Sequence, residues 1–288
     1  MPGTVAPGRM PEFARSNALG ANDLWLEFFA VFNFLCLSGD VVLAHSENHF
    51  RVRAEYFPIW FSVLAAILLI AGLVARLRFR GDAAWRDVGY LVGWMSIAVG
   101  AAGVVYHLDS RFFYERTLRS LTYAAPFAAP LAYVGLGCLL IMNRMIAPRE
   151  KEWSRWVLFF TFGGFVGNFV LSLTDHAING FFVWAEWIPV ISSALAIGFV
   201  AALMARDQAG GFLWLTAGVL FLQVLVGGLG FLLHIRADLR GPAASLFENV
   251  VSGAPPFAPL LLPNLSLLGF LGIIAMARET SGPQRMRT

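Results

Sequence analysis

HSENHFRVRAEYFP, residues 45–58, and HAINGFFVWAEWIP, residues 176–189, follow one pattern, H-x2-N-x-F-x-V-x-A-E-[YW]-x-P. At a shift of 131, residues 45–65 and 176–196 agree at ten of 21 positions. The agreement covers His45/His176, Asn48/Asn179, Phe50/Phe181, Glu55/Glu186 and Pro58/Pro189. Composition alone predicts about two matches in a window of this kind. Two later stretches repeat in the same order. A shift of 127 aligns Gly100, Gly103 and His107 with Gly227, Gly230 and His234, and a shift of 130 aligns Ala124, Pro126 and Phe127 with Ala254, Pro256 and Phe257. Collinear repeats point to a tandem duplication.

Each copy of the pattern separates two apolar runs. The chain is 58% hydrophobic and 14% charged, with mean hydropathy +0.68, whereas a soluble domain carries about 25% charged residues. A membrane-crossing helix needs about 20 mostly apolar residues. Eight such stretches are expected, at 24–44, 57–75, 88–107, 124–142, 156–174, 187–204, 212–234 and 257–276. The expected fold class is therefore an all-α polytopic membrane protein, with eight transmembrane helices formed by parallel duplication of a four-helix unit. The expected organisation is an N-terminal tail over 1–23, a first repeat over 24–142, a linker over 143–155, a second repeat over 156–276 and a C-terminal tail over 277–288. The 26 Phe and 9 Trp suit a surface facing the lipid bilayer and its interfaces.

Polar segments on the side of the termini hold 14 Lys and Arg, and those on the other side hold seven. The positive-inside rule then places both termini in the cytoplasm of a multi-pass cell-membrane protein. Residues 1–23 lack a cleavable signal pattern, so the first apolar helix is read as the insertion signal. Four units per repeat keep both halves in one orientation. All five histidines then fall on the extracytoplasmic side, with His45, His107, His176 and His234 each closing an odd-numbered helix.

Imidazoles beside Glu55 and Glu186 are a ligand set for a transition metal. Paired histidines at one depth also suit haem, and the glycines before His107 and His234 leave a face open to a close helix or a flat macrocycle. The candidate ligands are His45, His49, Glu55, His107, His176, Glu186 and His234, the four helix-ending histidines being also the candidate haem ligands. His49 lies four residues after His45 and shares its face if the helix continues. HSENH is not HExxH, so zincin chemistry does not follow. Asp40 stands in the first span about a turn before His45, where an intramembrane carboxylate is a functional candidate or a support for that histidine. The segment 111–121, RFFYERTLRSL, has the mixed character of a helix lying flat at the interface.

Two other readings stay open. The same polar layer suits a carrier or channel for a small solute, with a small-molecule or membrane-protein partner that the residues do not name. The third is a structural or assembly subunit, since His at a helix end and Glu-x2-Pro at a helix start also serve the fold alone. Several chemistries are excluded. Lys151 is the one lysine and lies in a polar loop, which removes a Schiff-base site. There is no Walker A and no GxSxG. Cys36 and Cys138 lie apart in apolar runs, giving no zinc motif. No basic cluster interleaved with aromatics suggests nucleic acid.

Overall fold

The computed structural model describes residues 21–79, 81–205 and 210–281. Among the described residues all regular elements are helical. In the first half, α1 (Ala21–Ser46) leads through a 3-10 turn (Arg53–Tyr56) into α2 (Phe57–Phe79) and α3 (Asp82–Asp109). Two short helices follow, α4 (Phe112–Glu115) and α5 (Leu118–Thr122), and then α6 (Leu131–Met145). The second half repeats the order. α7 (Lys151–Ile178) leads through a 3-10 turn (Trp184–Glu186) into α8 (Trp187–Met204) and α9 (Gly210–Asp238). The short α10 (Leu246–Ser252) precedes a 3-10 turn (Ala258–Leu260) and α11 (Leu261–Ser281). The tails expected over 1–23 and 277–288 lie largely outside the described residues.

Seven helices are long and apolar enough to cross a membrane: α1, α2, α3, α7, α8, α9 and α11. The eighth expected span, 124–142, differs. Its first part is non-helical, and α6 has 15 residues, about 22 Å at 1.5 Å per residue, against a hydrocarbon core of about 30 Å. Pro126 and Pro130 account for this, because a proline donates no backbone N–H and is tolerated at a helix start but not inside. Segment 111–121 also differs from a single interfacial helix. Arg116 breaks it in a left-handed conformation (φ 52°), and Thr117 caps the next helix through the Ser120 N–H.

Within each half, consecutive long helices pack side by side, and each half encloses an apolar core. Ala30, Phe34, Phe61, Ala65, Leu69, Val92, Tyr133 and Leu140 form one. Leu158, Phe165, Ala196, Val200, Leu220, Leu262 and Leu265 form the other. A third cluster, with Leu26, Leu139, Trp153, Val157 and Leu268, joins the halves through α1, α6, α7 and α11. A reciprocal amide pair between Asn33 and Asn264 adds a second tie, from α1 to α11.

The fourth long helix of each half leans on a different neighbour. α6 lies tightly on α3: a Cβ at Gly137 would stand 2.4 Å from the Gly93 carbonyl oxygen, and one at Gly93 2.7 Å from Ile141. α6 approaches α1 only sparsely. α11 instead packs closely on α7 as well as on α9. Gly164 receives Leu265, Gly269 receives Leu220, and Gly272 receives Leu158. Helix backbones approach most closely where one lacks a side chain, so the placement of glycine decides the lean.

Candidate functional site

The duplicated pattern is a helix end followed by a helix start, and most of its residues serve that turn. In each half the histidine's carbonyl accepts the N–H five residues on, from Phe50 to His45 (3.1 Å) and from Phe181 to His176 (3.1 Å). The turn requires positive φ, 49° at Phe50 and 51° at Phe181, after His49 at 60° and Gly180 at 75°. Such left-handed endings satisfy the last carbonyls of a helix. The Phe50 ring stacks on Tyr56 with centroids 4.5 Å apart, and Phe181 on Trp187 at 4.0 Å. Val52 and Val183 then accept the N–H of Glu55 and Glu186, both at 3.0 Å. The repeated Phe, Val and aromatic positions thus have backbone and stacking roles, and the His and Glu side chains remain to be explained.

Those side chains lie near one another in pairs. His45 Nδ1 stands 3.5 Å from Glu55 Oε2, and His176 Nδ1 stands 3.8 Å from Glu186 Oε2. The His45 and His107 rings lie edge to face with centroids 6.1 Å apart, and His234 lies within electrostatic reach of His176. His107 Nδ1 bonds the Pro126 carbonyl at 2.9 Å, and His234 Nδ1 bonds the Pro255 carbonyl at 2.8 Å. A carbonyl only accepts, so Nδ1 donates here, and in a neutral ring Nε2 would keep its lone pair. Glu55 Oε2 and Glu186 Oε2 are buried and have no hydrogen-bond partner. Asn48 reaches Glu55 Oε1 at 3.5 Å and accepts the Phe50 N–H at 3.1 Å.

The proline anchors correct the register read from sequence. Pro126 corresponds to Pro255, and Pro130 packs on Gly103 as Pro259 packs on Gly230. The shift here is 129, one less than the best one-dimensional match. The same contacts answer the question of the glycine faces. A Cβ at Gly103 would stand 2.8 Å from Pro130 Cβ, and one at Gly230 2.8 Å from Pro259 Cβ. A close helix fills both faces, which leaves no slot there for a flat macrocycle.

His49 does not join the cluster. α1 ends at Ser46, so the i, i+4 face is lost, and His49 is exposed on the left-handed turn. Asp40 makes no hydrogen bond to His45 among the described residues. Both clusters stand at one end of the molecule. A crevice lined by Thr122, Pro126 and Phe127 on one side and Thr174, Asp175 and Ile178 on the other brings the His107 anchor against the last turns of α7.

The opposite end holds a polar cluster that sequence reasoning missed. Arg144 Nη2 donates to Glu27 Oε1 at 2.9 Å, with 0% and 1% of the two side chains exposed. The Arg144 guanidinium lies over the Trp85 ring at 3.6 Å, and Arg76 lies over the same ring at 3.8 Å. Arg76 also pairs with Asp82 at 3.1 Å. Gly89 makes room, since a Cβ there would meet Arg144 Nε at 2.1 Å. By its place after an apolar run, Arg144 reads along the sequence as part of the polar linker over 143–155. The available signal was Glu27, a carboxylate inside the first span.

Apolar membrane-length helices and aromatic-rich exposed faces mark a helical integral membrane protein. No protein family, curated protein or solved structure compared with the chain matches it, so its function is argued from its own residues.

Proposed function

We propose that the two His–Glu–His clusters are paired cation sites at the extracytoplasmic face, taking a transition-metal ion for a metal-handling or redox role. The observation that carries this reading is the duplicated chemistry of the cluster. In each half one imidazole has Nδ1–H committed to a proline carbonyl, and the other faces a buried carboxylate oxygen that lacks a partner. Metal-binding histidines characteristically hand their second nitrogen to a carbonyl or carboxylate. Two ligand atoms about 2.1 Å from a tetrahedral ion lie about 3.4 Å apart. The separations of 3.5 and 3.8 Å are near that edge and long for a hydrogen bond. Among the described residues no group of three such side chains already converges on one point, so loading requires His107 and His234 to move inward. The filled glycine faces favour an ion over haem. Eight spans, parallel duplication and cytoplasmic termini complete the proposal. They are supported by the repeated order of elements and by the arginine count.

The same lack of convergence favours a second reading. There the unpartnered Glu55 and Glu186 oxygens receive the cationic group of a small organic solute, and the protein is a carrier.

His45→Gln and His107→Gln, singly and together, test the first reading. Protein from metal- and haem-replete cells should carry a stoichiometric transition metal by elemental analysis, and each substitution should remove most of the first-half share. Wild-type protein that carries neither metal nor haem overturns it and leaves the solute reading first. Metal that survives both substitutions in the first half and the matching His176→Gln and His234→Gln in the second places the site elsewhere.

A further inference from the structure

We propose that the crevice between the two halves at the histidine end is a site for a small primary ammonium group, with the Asp175 carboxylate as its counter-ion. The site is separate from the His–Glu clusters and rests on neither reading of them.

One wall is a single face of α7. Leu171, Thr174, Asp175 and Ile178 all line the crevice. They stand at i, i+3, i+4 and i+7, the spacing that puts side chains on one side of a helix. The next residue, His176, is turned to Glu186 instead. The other wall is the first half's connection from Leu121 through Pro126 to Ala128. That connection is pinned. The Ala125 N–H donates to Ser110 Oγ at 2.9 Å, and the Pro126 carbonyl is held by His107 Nδ1 at 2.9 Å. A wall fixed in advance lowers the cost of ordering on binding.

The chemistry of the lining selects the ligand. Apart from Asp175, its side chains are apolar or already committed. Thr122 Oγ1 donates to the Leu118 carbonyl at 3.0 Å, and Thr174 Oγ1 to the Val170 carbonyl at 2.9 Å. Among the described residues the Asp175 carboxylate has neither a hydrogen bond nor an ion pair. The shared turn does not account for it, because the matching place in the first half is Ala44. A carboxylate set against apolar surface is costly unless a cation meets it. A lone carboxylate lacks the several ligands a metal ion requires. It suits one ammonium head, and Leu121, Phe127 and Ile178 suit an apolar body. The cavity measures about 80 Å³. An apolar cavity of roughly 150 Å³ takes benzene, so about half as many heavy atoms fit here. That is an ammonium on a short carbon chain. A free small amine and the headgroup of an ethanolamine lipid both carry this group.

Propylammonium chloride, titrated calorimetrically into the full chain in detergent free of ethanolamine lipid, tests the site. Wild-type protein should bind it saturably, and 1-propanol, of equal size without the charge, should bind at least about tenfold more weakly. Asp175→Asn keeps the shape and should cost roughly tenfold or more in affinity, as loss of a charge-assisted hydrogen bond does. Thr122→Val should bind as the wild type does, since its hydroxyl is committed elsewhere. Undiminished binding in folded Asp175→Asn overturns the proposal. So does equal binding of propanol, which keeps the test decisive should that variant fail to fold. Binding that survives Asp175→Asn and disappears in Glu55→Gln with Glu186→Gln places the ammonium at the His–Glu clusters instead. Protein in bilayer discs separates the two sources. A weaker apparent affinity in discs of phosphatidylethanolamine than in discs of phosphatidylcholine identifies the lipid headgroup as the occupant, and equal affinities identify a free amine. Absence of bound metal in the same protein removes the first function proposed above and leaves this result standing.

Discussion

The two halves agree where the chain turns and differ where its helices meet. At the histidine end the correspondence reaches single atoms. Each His carbonyl takes a Phe N–H, each second His is held by a proline carbonyl, and each Glu sets one buried oxygen beside its His without a hydrogen bond. At the other end, Glu27, Trp85 and Arg144 occupy the places of Leu158, Phe212 and Ile273. The inner faces of α7 and α11 carry Gly164, Gly269 and Gly272 where α1 and α6 carry Asn33, Leu140 and Asn143. Asn33 and Asn143 have left their own seam. Asn33 bonds Asn264 across the halves, and Asn143 accepts the Trp153 indole N–H at 3.1 Å. A side chain that reaches outward for a partner holds its own helix pair apart, and a glycine lets it close.

The largest expected effect is on the charged end. Arg144→Met or Glu27→Gln alone should cost about 3–5 kcal/mol, because each leaves a buried charge without its partner. Converting both to the residues of the second half, Glu27→Leu with Arg144→Ile, should recover most of that loss. Denaturation in detergent measures all three. A double variant as unstable as the singles would mean that the first half cannot accept the apolar closure of the second.

Next in size is the lean of α6. Gly93→Leu, which installs the residue found at Leu220, has no space because Ile141 and the Gly137 carbonyl stand in the way. It should cost about 1–3 kcal/mol or more, as overpacking does. Gly135→Leu faces open space and should change the unfolding midpoint little. If the two variants behave alike, the packing of α3 on α6 is not set by glycine.

The smallest effect belongs to the turn the halves share. His49 holds a φ of 60° that Gly180 holds at 75° without steric cost. His49→Gly should therefore stabilise by about 0.5–1 kcal/mol, less the entropy glycine adds to the unfolded chain. It should leave bound metal unchanged, since His49 stands outside the cluster. A loss of metal in this variant would return His49 to the ligand set.

Much was legible in the residues alone. Long apolar runs require helices in a membrane, where backbone groups must bond within their own segment. The two copies of His-x2-Asn-x-Phe and Glu-x2-Pro marked where helices end and begin, and they brought His45, Glu55, His107 and their counterparts to attention. Those are local signals, carried by composition and short spacing. Helix-to-helix relations are of another kind. An apolar run reads the same whichever neighbour it packs on, so the lean of α6 onto α3, the 129-residue register set by Pro126 and Pro255, and the filling of the glycine faces by Pro130 and Pro259 had no signature along the chain. Nor did the pairing of Glu27 with Arg144, 117 positions apart. An arginine after an apolar run looks like a solvated loop charge until the fold turns it inward over Trp85. Only tertiary contact brings such groups out of water together, and the cost of leaving them unpaired there is what gives the pair its meaning.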